Sequence, residues 1–296
     1  MGSLRVKFWG TRGLISSPRP ETAIFGGNTP CVQILYKDHL ILVDSGFGST
    51  NLGDDLMARL AARQEPLHVH IFYTHFHWDH IQGLPFFKPI YFPSTTMSLY
   101  SPQPTARMLD NLNILFDGSY SPFESLLSMQ AKVHLCQLSG PFELDGLRID
   151  YRAVDHVASD HPGEETYAYK FAAENLGTVC LITDHEVRNN KKNRALVEWA
   201  KGCDLLIHDG QYFAADYLAH VGWGHSSAQA ALDNALKIGP ALTLLTHHDP
   251  ARNDRELQAQ HRALMQGKKY RRLTFEFARE EVLYEVAKVK SLPKAG

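Results

Sequence analysis

Residues 74–80, Thr-His-Phe-His-Trp-Asp-His, constrain this chain more than any other stretch. Three imidazoles and a carboxylate, His75, His77, Asp79 and His80, fall within six consecutive residues. They directly follow an apolar β-type run, His68–Tyr73. On an extended segment His75 and His77 point to one side, because side chains alternate with period two. The chain then has to turn, so Asp79 and His80 address a second point nearby. That spacing offers two ligands to one metal and two to another. Neutral imidazole and carboxylate suit zinc and similar borderline ions. A histidine-rich surface loop needs no such order; the heptad predicts a metal site.

The rest of the composition sets bounds. With 296 residues, the chain is long enough to bury a large core. A formal net charge of −2 excludes wholesale electrostatic capture of duplex nucleic acid. The one basic stretch, Lys268-Lys269-Tyr270-Arg271-Arg272, reads as a solvated helix end before a strand. Cys31, Cys136, Cys180 and Cys203 show no Cys-x-x-Cys spacing. The last three sit in apolar, strand-like runs and read as buried small hydrophobes, and the usage fits a reducing compartment. Residues 1–9 lead straight into a strand pattern without the features of a signal peptide, and no apolar run is long enough to span a bilayer. The expected location is the cytoplasm, with no membrane partner.

Short β-type runs recur at Leu4–Trp9, Cys31–Tyr36, His39–Val43, His68–Tyr73, Val133–Leu138, Leu147–Val154, Tyr167–Ala172, Thr178–Thr183, Asp204–His208, Ala241–Thr246 and Leu273–Phe277. Helical patterns cover Lys191–Lys201, Ser226–Ile238 and Asp254–Gln266, the second opening on a serine cap. The first half therefore reads as a meander poor in helices, the second as alternating helix and strand. No linker divides the chain, so residues 1–296 are expected to form one domain. The irregular stretch 91–130 is compatible with a lid over a cleft or with a surface excursion. Residues 288–296 read as a frayed tail.

A dinuclear site needs ligands beyond the heptad, and strand ends are where they should arise. Asp184 ends the run Thr178–Thr183, and His247 ends Ala241–Thr246. Asp155-His156 and Asp160-His161 each follow a strand. Taken with the heptad, their order and spacing complete two metal shells.

These residues resemble the metallo-β-lactamase fold superfamily, in particular its phosphodiesterase branch of ribonuclease Z-like and bacterial cyclic-phosphodiester hydrolases. The matching pieces are Phe8–Gly13, Gly26–Cys31, Leu42–Gly46, Thr74–His80 with Gly83-Leu-Pro, Asp160–Gly163, Ile182–His185, Leu206–Asp209, Gly222–Ser227 and Thr246–Pro250. The heptad points to the superfamily; Gly224-His225-Ser226, some twenty residues before His247, narrows it to phosphodiesterases. The resemblance implies that His75, His77 and His161 bind one metal, that Asp79, His80 and His247 bind the second, and that Asp184 bridges them. The relatives' Gly-rich His-Pro-Gly-Gly stretch is altered here to His161-Pro-Gly-Glu-Glu, which leaves His156 as a rival third imidazole. Asp44 is implied to hold ligand loops by hydrogen bonds, with Asp209 and His248 either acting likewise or purely structural.

The implied fold is α/β, a four-layer αβ/βα sandwich with the site at one edge. The implied cofactors are two divalent ions, Zn2+ by default, with Mn2+ and Fe2+ as alternatives. The implied activity is phosphodiester hydrolysis by a hydroxide held between the ions. Asp79 would orient it, His225 would protonate the leaving group, and Arg12 is a candidate phosphate contact. Near-neutral charge favours a small or cyclic nucleotide-like diester as the partner over structured nucleic acid; a homodimer is compatible. The rivals are a ribonuclease Z-type nuclease, a thioester or lactone hydrolase, and a non-catalytic metal-binding scaffold.

Overall fold

The computed structural model describes residues 3–63, 66–119, 121–156 and 165–286, with the side chains of 59–63 left aside. Fourteen strands and seven α-helices lie among them. The strands are β1 (Leu4–Gly10), β2 (Cys31–Tyr36), β3 (His39–Val43), β4 (Leu67–Phe72), β5 (Thr95–Ser101), β6 (Lys132–Gln137), β7 (Phe142–Leu144), β8 (Leu147–Ala153), β9 (Tyr167–Ala173), β10 (Gly177–Ile182), β11 (Leu205–Asp209), β12 (Leu242–Thr246), β13 (Phe275–Phe277) and β14 (Leu283–Val286). The helices are α1 (Gly48–Arg63), α2 (Trp78–Ile81), α3 (Thr105–Asn113), α4 (Lys191–Ala200), α5 (Ala214–Tyr217), α6 (Ala228–Ile238) and α7 (Asp254–Gln266).

Two seven-stranded sheets result, in the orders β14-β1-β2-β3-β4-β5-β6 and β13-β12-β11-β10-β9-β8-β7. In each, a parallel half (β3 to β6; β10 to β13) continues into an antiparallel half. The central parallel strands β3, β10 and β11 are largely apolar on both faces, as strands covered on both sides must be. Along β3, Ile41 and Val43 face the other sheet while Leu40 and Leu42 face outward. The inner faces meet in one core, where Phe8, Ile41 and Phe72 join Tyr169, Phe171, Leu181 and Ile207. Outside the first sheet, Leu52 and Leu56 of α1 and Met108 and Leu112 of α3 pack on Ile71 and Leu99. Outside the second, Leu196 and Val197 of α4 pack on Ile182 and Leu206, and α6 and α7 cover Leu245 and Phe277. Helix, sheet, sheet, helix: this is the expected four-layer sandwich.

Two differences from the sequence reading have physical reasons. The first half carries a sixteen-residue helix, α1, whose opening Gly-Ser-Thr-Asn residues are weak helix formers; buried Leu52 and Leu56 hold it in place. Residues 95–101, inside the irregular stretch, form a strand between β4 and β6. Two of its inner positions, Thr96 and Ser98, are small and polar, with Ser98 Oγ bonded to His68 Nε2 at 3.0 Å, and of the inner face only Tyr100 joins the core, so the alternation is faint. The expected tail, residues 288–296, lies outside the described residues. No helix among the described residues is long and apolar enough to cross a membrane.

Candidate metal centre

The heptad follows β4 directly and ends in α2, so His75 and His77 leave the strand before the turn and Asp79 and His80 sit on the helix after it. The second sheet contributes from its strand ends: Asp184 after β10, Asp209 at the end of β11 and His247 after β12. Ligand sites in α/β sheets gather at such carboxyl ends. Two bonds stitch the sheets together here: Tyr167 N donates to Thr74 O (2.9 Å) and the Tyr169 hydroxyl to Tyr73 O (2.8 Å). Asp44, Asp184 and His247 all have left-handed backbones, with φ of 62°, 49° and 62°. Each reverses the chain just past its strand, and for a non-glycine residue that conformation is strained.

The donor atoms converge. His80 Nε2 lies 3.2 Å from Asp184 Oδ2 and 3.4 Å from Asp79 Oδ2. His247 Nε2 lies 3.2 Å from Asp79 Oδ2 and 3.3 Å from Asp184 Oδ1. On the other side His75 Nε2 and His156 Nε2 lie 3.8 and 3.9 Å from Asp184 Oδ1, and His156 Nε2 is 3.1 Å from His77 Nδ1. Donors sharing a tetrahedral ion with bonds of 2.0–2.1 Å stand about 3.3 Å apart. Among the described residues, buried His75 Nε2 and His80 Nε2 have no hydrogen-bond partner, which is costly unless something else satisfies them. The residues fit a divalent metal on both sides of Asp184.

The opposite edge of nearly every ring is fixed by protein. Asp44 Oδ2 meets His80 Nδ1 at 2.8 Å and accepts from the Thr74 hydroxyl at 2.8 Å, while Asp44 Oδ1 accepts from the Thr74 amide at 2.8 Å. Gln211 Oε1 lies 2.8 Å from His247 Nδ1, Thr74 Oγ1 3.1 Å from His75 Nδ1, and Gly224 O 2.8 Å from His156 Nδ1. Such partners fix which nitrogen faces a metal. The Leu14 amide donates to Asp79 Oδ2 at 2.9 Å. Neighbouring Gly13 is obligatory, since a Cβ there would stand 2.3 Å from the His247 ring.

Electrostatics divide the site. Burial disfavours a charged His247, but Asp184, Asp79 and Asp209 prevail and raise it to about 9. His80 is likewise held well above the ordinary range against its burial by Asp184, Asp79 and Asp44. That half of the site favours positive charge. In the other half burial lowers His156 to about 4 and also lowers His75 and His77, leaving neutral imidazoles of the kind metals require.

His225 stands beside this cluster on its own support. Its Nδ1 lies 2.8 Å from Asp209 Oδ2, and its ring stacks on His247 at 4.8 Å. Asp209, wholly buried, thus orients His225. His248 instead bonds Ala278 O at 2.9 Å, a structural role. Arg12 is corrected: its guanidinium is fully buried and bonded to the carbonyls of Gly26, Asp249 and Arg252, so it presents no free face to a phosphate. His161 lies outside the described residues, and His156 occupies the position beside His75 and His77. Gln211, Thr74 and the Leu14 amide were not foreseen; only Gln211, two residues past a strand-end aspartate, carried any signal.

Two facing mixed sheets, helices on both outer faces and a histidine–aspartate cluster at the strand ends define a protein of the metallo-β-lactamase fold with a candidate metal centre. Residues 39–248 match the family model described as the Beta-lactamase superfamily domain, and the chain belongs to that family. Over 123 residues, 40% of the chain, it is 31% identical to a ribonuclease Z of Thermococcus kodakarensis, and the match spans only 34% of that protein. The crystal structure of a diphosphatase from the PhnP family superposes with a TM-score of 0.65 at 20% identity, covering 95% of this chain and 97% of that one. Human tRNase Z, short form, superposes with a TM-score of 0.63 at 17% identity, covering 95% and 99%. At these identities the structures share architecture.

Proposed function

We propose that the protein is a dinuclear metal-dependent phosphodiesterase acting on a small or cyclic nucleotide-like diester. His75, His77 and His156 would hold one ion, Asp79, His80 and His247 the other, with Asp184 between them and Zn2+ the default metal. His161 remains the alternative third imidazole; metal content of His156→Ala against His161→Ala separates the two. The ions would supply Lewis-acid stabilisation of phosphoryl charge and a lowered pKa for bound water.

The observation that carries the reading is the His225–Asp209 pair. A histidine held by a buried carboxylate beside a metal cluster is built to carry a proton. Asp209 steadies the imidazolium through Nδ1 while the Nε2 edge gives a proton to the departing alkoxide. Asp79, anchored by the Leu14 amide, accepts a hydrogen bond from the attacking water and orients it.

The test is metal analysis of the purified protein beside a panel of generic and cyclic phosphodiesters, thioesters and lactones. About two ions per chain with diester turnover is expected. A single tightly held ion, or turnover confined to thioesters or lactones, would overturn the proposal. The ribonuclease Z match favours a nuclease as the second reading, so a tRNA precursor belongs in the same panel.

A further inference from the structure

Trp78 stands between His77 and Asp79, and it is 59% exposed. Residues four apart share a helix face, so Trp78 and Gln82 form one wall of a groove of about 450 Å³. Pro85, Phe86, Ile114 and Ser121 form the others. Phe86 is 62% and Ile114 55% exposed. Single exposed hydrophobes are ordinary; three lining one groove, one of them inside the metal-binding heptad, are not.

The lining narrows the occupant. The volume falls in the range of small-ligand pockets, about 300–1,000 Å³. An exposed indole and phenyl ring offer flat faces on which an aromatic ring stacks. Gln82 puts a side-chain amide in the lining. An alkyl chain makes no use of it, whereas a heteroaromatic ring supplies a ring nitrogen or an amino group. The groove adjoins the heptad, while His225 belongs to the second sheet. The leaving group therefore departs toward His225 and the retained substituent lies toward α2.

We propose that this groove is a subsite for a heteroaromatic ring, a nucleobase, on the ester substituent that stays on phosphorus. The proposal deepens the phosphodiesterase reading and rests on it for the phosphoryl position. Its test is calorimetric binding of adenosine 5′-monophosphate and ribose 5-phosphate to the metal-loaded protein, since the two ligands differ only in the base. Adenosine 5′-monophosphate should bind about tenfold more tightly, the scale of one base–aromatic stack. Trp78→Ala should erase most of that difference and leave ribose 5-phosphate unchanged; Trp78→Phe should keep it. Equal binding of the two ligands, no binding of either, or a difference that survives Trp78→Ala overturns the subsite. Hexyl phosphate binding as tightly as adenosine 5′-monophosphate also overturns it, by showing a slot for chains. Binding is read separately from turnover. A protein that discriminates the base but cleaves no diester refutes the phosphodiesterase reading and leaves the subsite standing.

Discussion

The two sides of the metal centre are built differently. The first sheet delivers His75, His77, Asp79 and His80 from six consecutive residues, and one carboxylate, Asp44, braces them through Thr74 and His80. The second sheet delivers Asp184, Asp209, His225 and His247 from separate strands and loops, each with its own partner. A local motif concentrates metal affinity in one short turn. A dispersed set divides the tasks: Asp184 and His247 face the cluster with the heptad, while His225 and Asp209 stand beside it, so that pair is where chemistry can be tuned without dismantling the candidate metal site.

That contrast can be broken. The largest effect belongs to the heptad: His80→Ala should release metal and lower diester turnover by more than about 10⁴-fold, as read by metal analysis and kinetics. On the other side, His225→Ala should keep both metals yet lower turnover of unactivated diesters by about 10²–10⁴-fold, with a much smaller loss on nitrophenyl diesters. Equal losses on both substrates would remove the general-acid role. The supporting carboxylates should differ in kind. Asp44→Asn should weaken metal binding by about 10–100-fold, while Asp209→Asn should lower turnover over a similar range with metal retained. If Asp209→Asn instead releases metal, the two sides are not separable.

The smallest effect lies outside both. Glu280, bonded to the Asn28 amide and side chain, is pushed by burial to about 7, above its unfolded value of about 4.3. Its protonated form is therefore favoured on folding. That stability is complete below the unfolded pKa and is lost as pH rises through 7. Glu280→Gln should raise the melting temperature at pH 8 by a few degrees, worth about 1–3 kcal/mol, and bring no gain at pH 4. A change in metal content would contradict its separation from the site.

Legibility followed the same division. The heptad's part of the cluster was readable because its histidines and aspartate are neighbours, and that of Asp184 and His247 because a polar residue at the end of an apolar strand stands out. Thr74 and the Gly224 carbonyl were hidden, and Gln211 nearly so, since supporting contacts are made by ordinary residues or backbone that only the fold brings near. Arg12 misled because an arginine among glycines looks available, while its guanidinium is spent on three carbonyls. The β5 strand hid behind small inward residues, and the stretch containing it became a groove wall through Ile114 and Ser121.

The left-handed backbones at Asp44, Asp184 and His247 set usefulness against durability. Each such residue costs the fold about 1–2 kcal/mol, a burden glycine would shed. Glycine at Asp44 would shed that cost but orphan the Thr74 amide and hydroxyl and His80 Nδ1, a larger loss. At Asp184 and His247 it would remove the very side chains that the turn aims at the cluster, so relief of strain and an intact cluster exclude each other there.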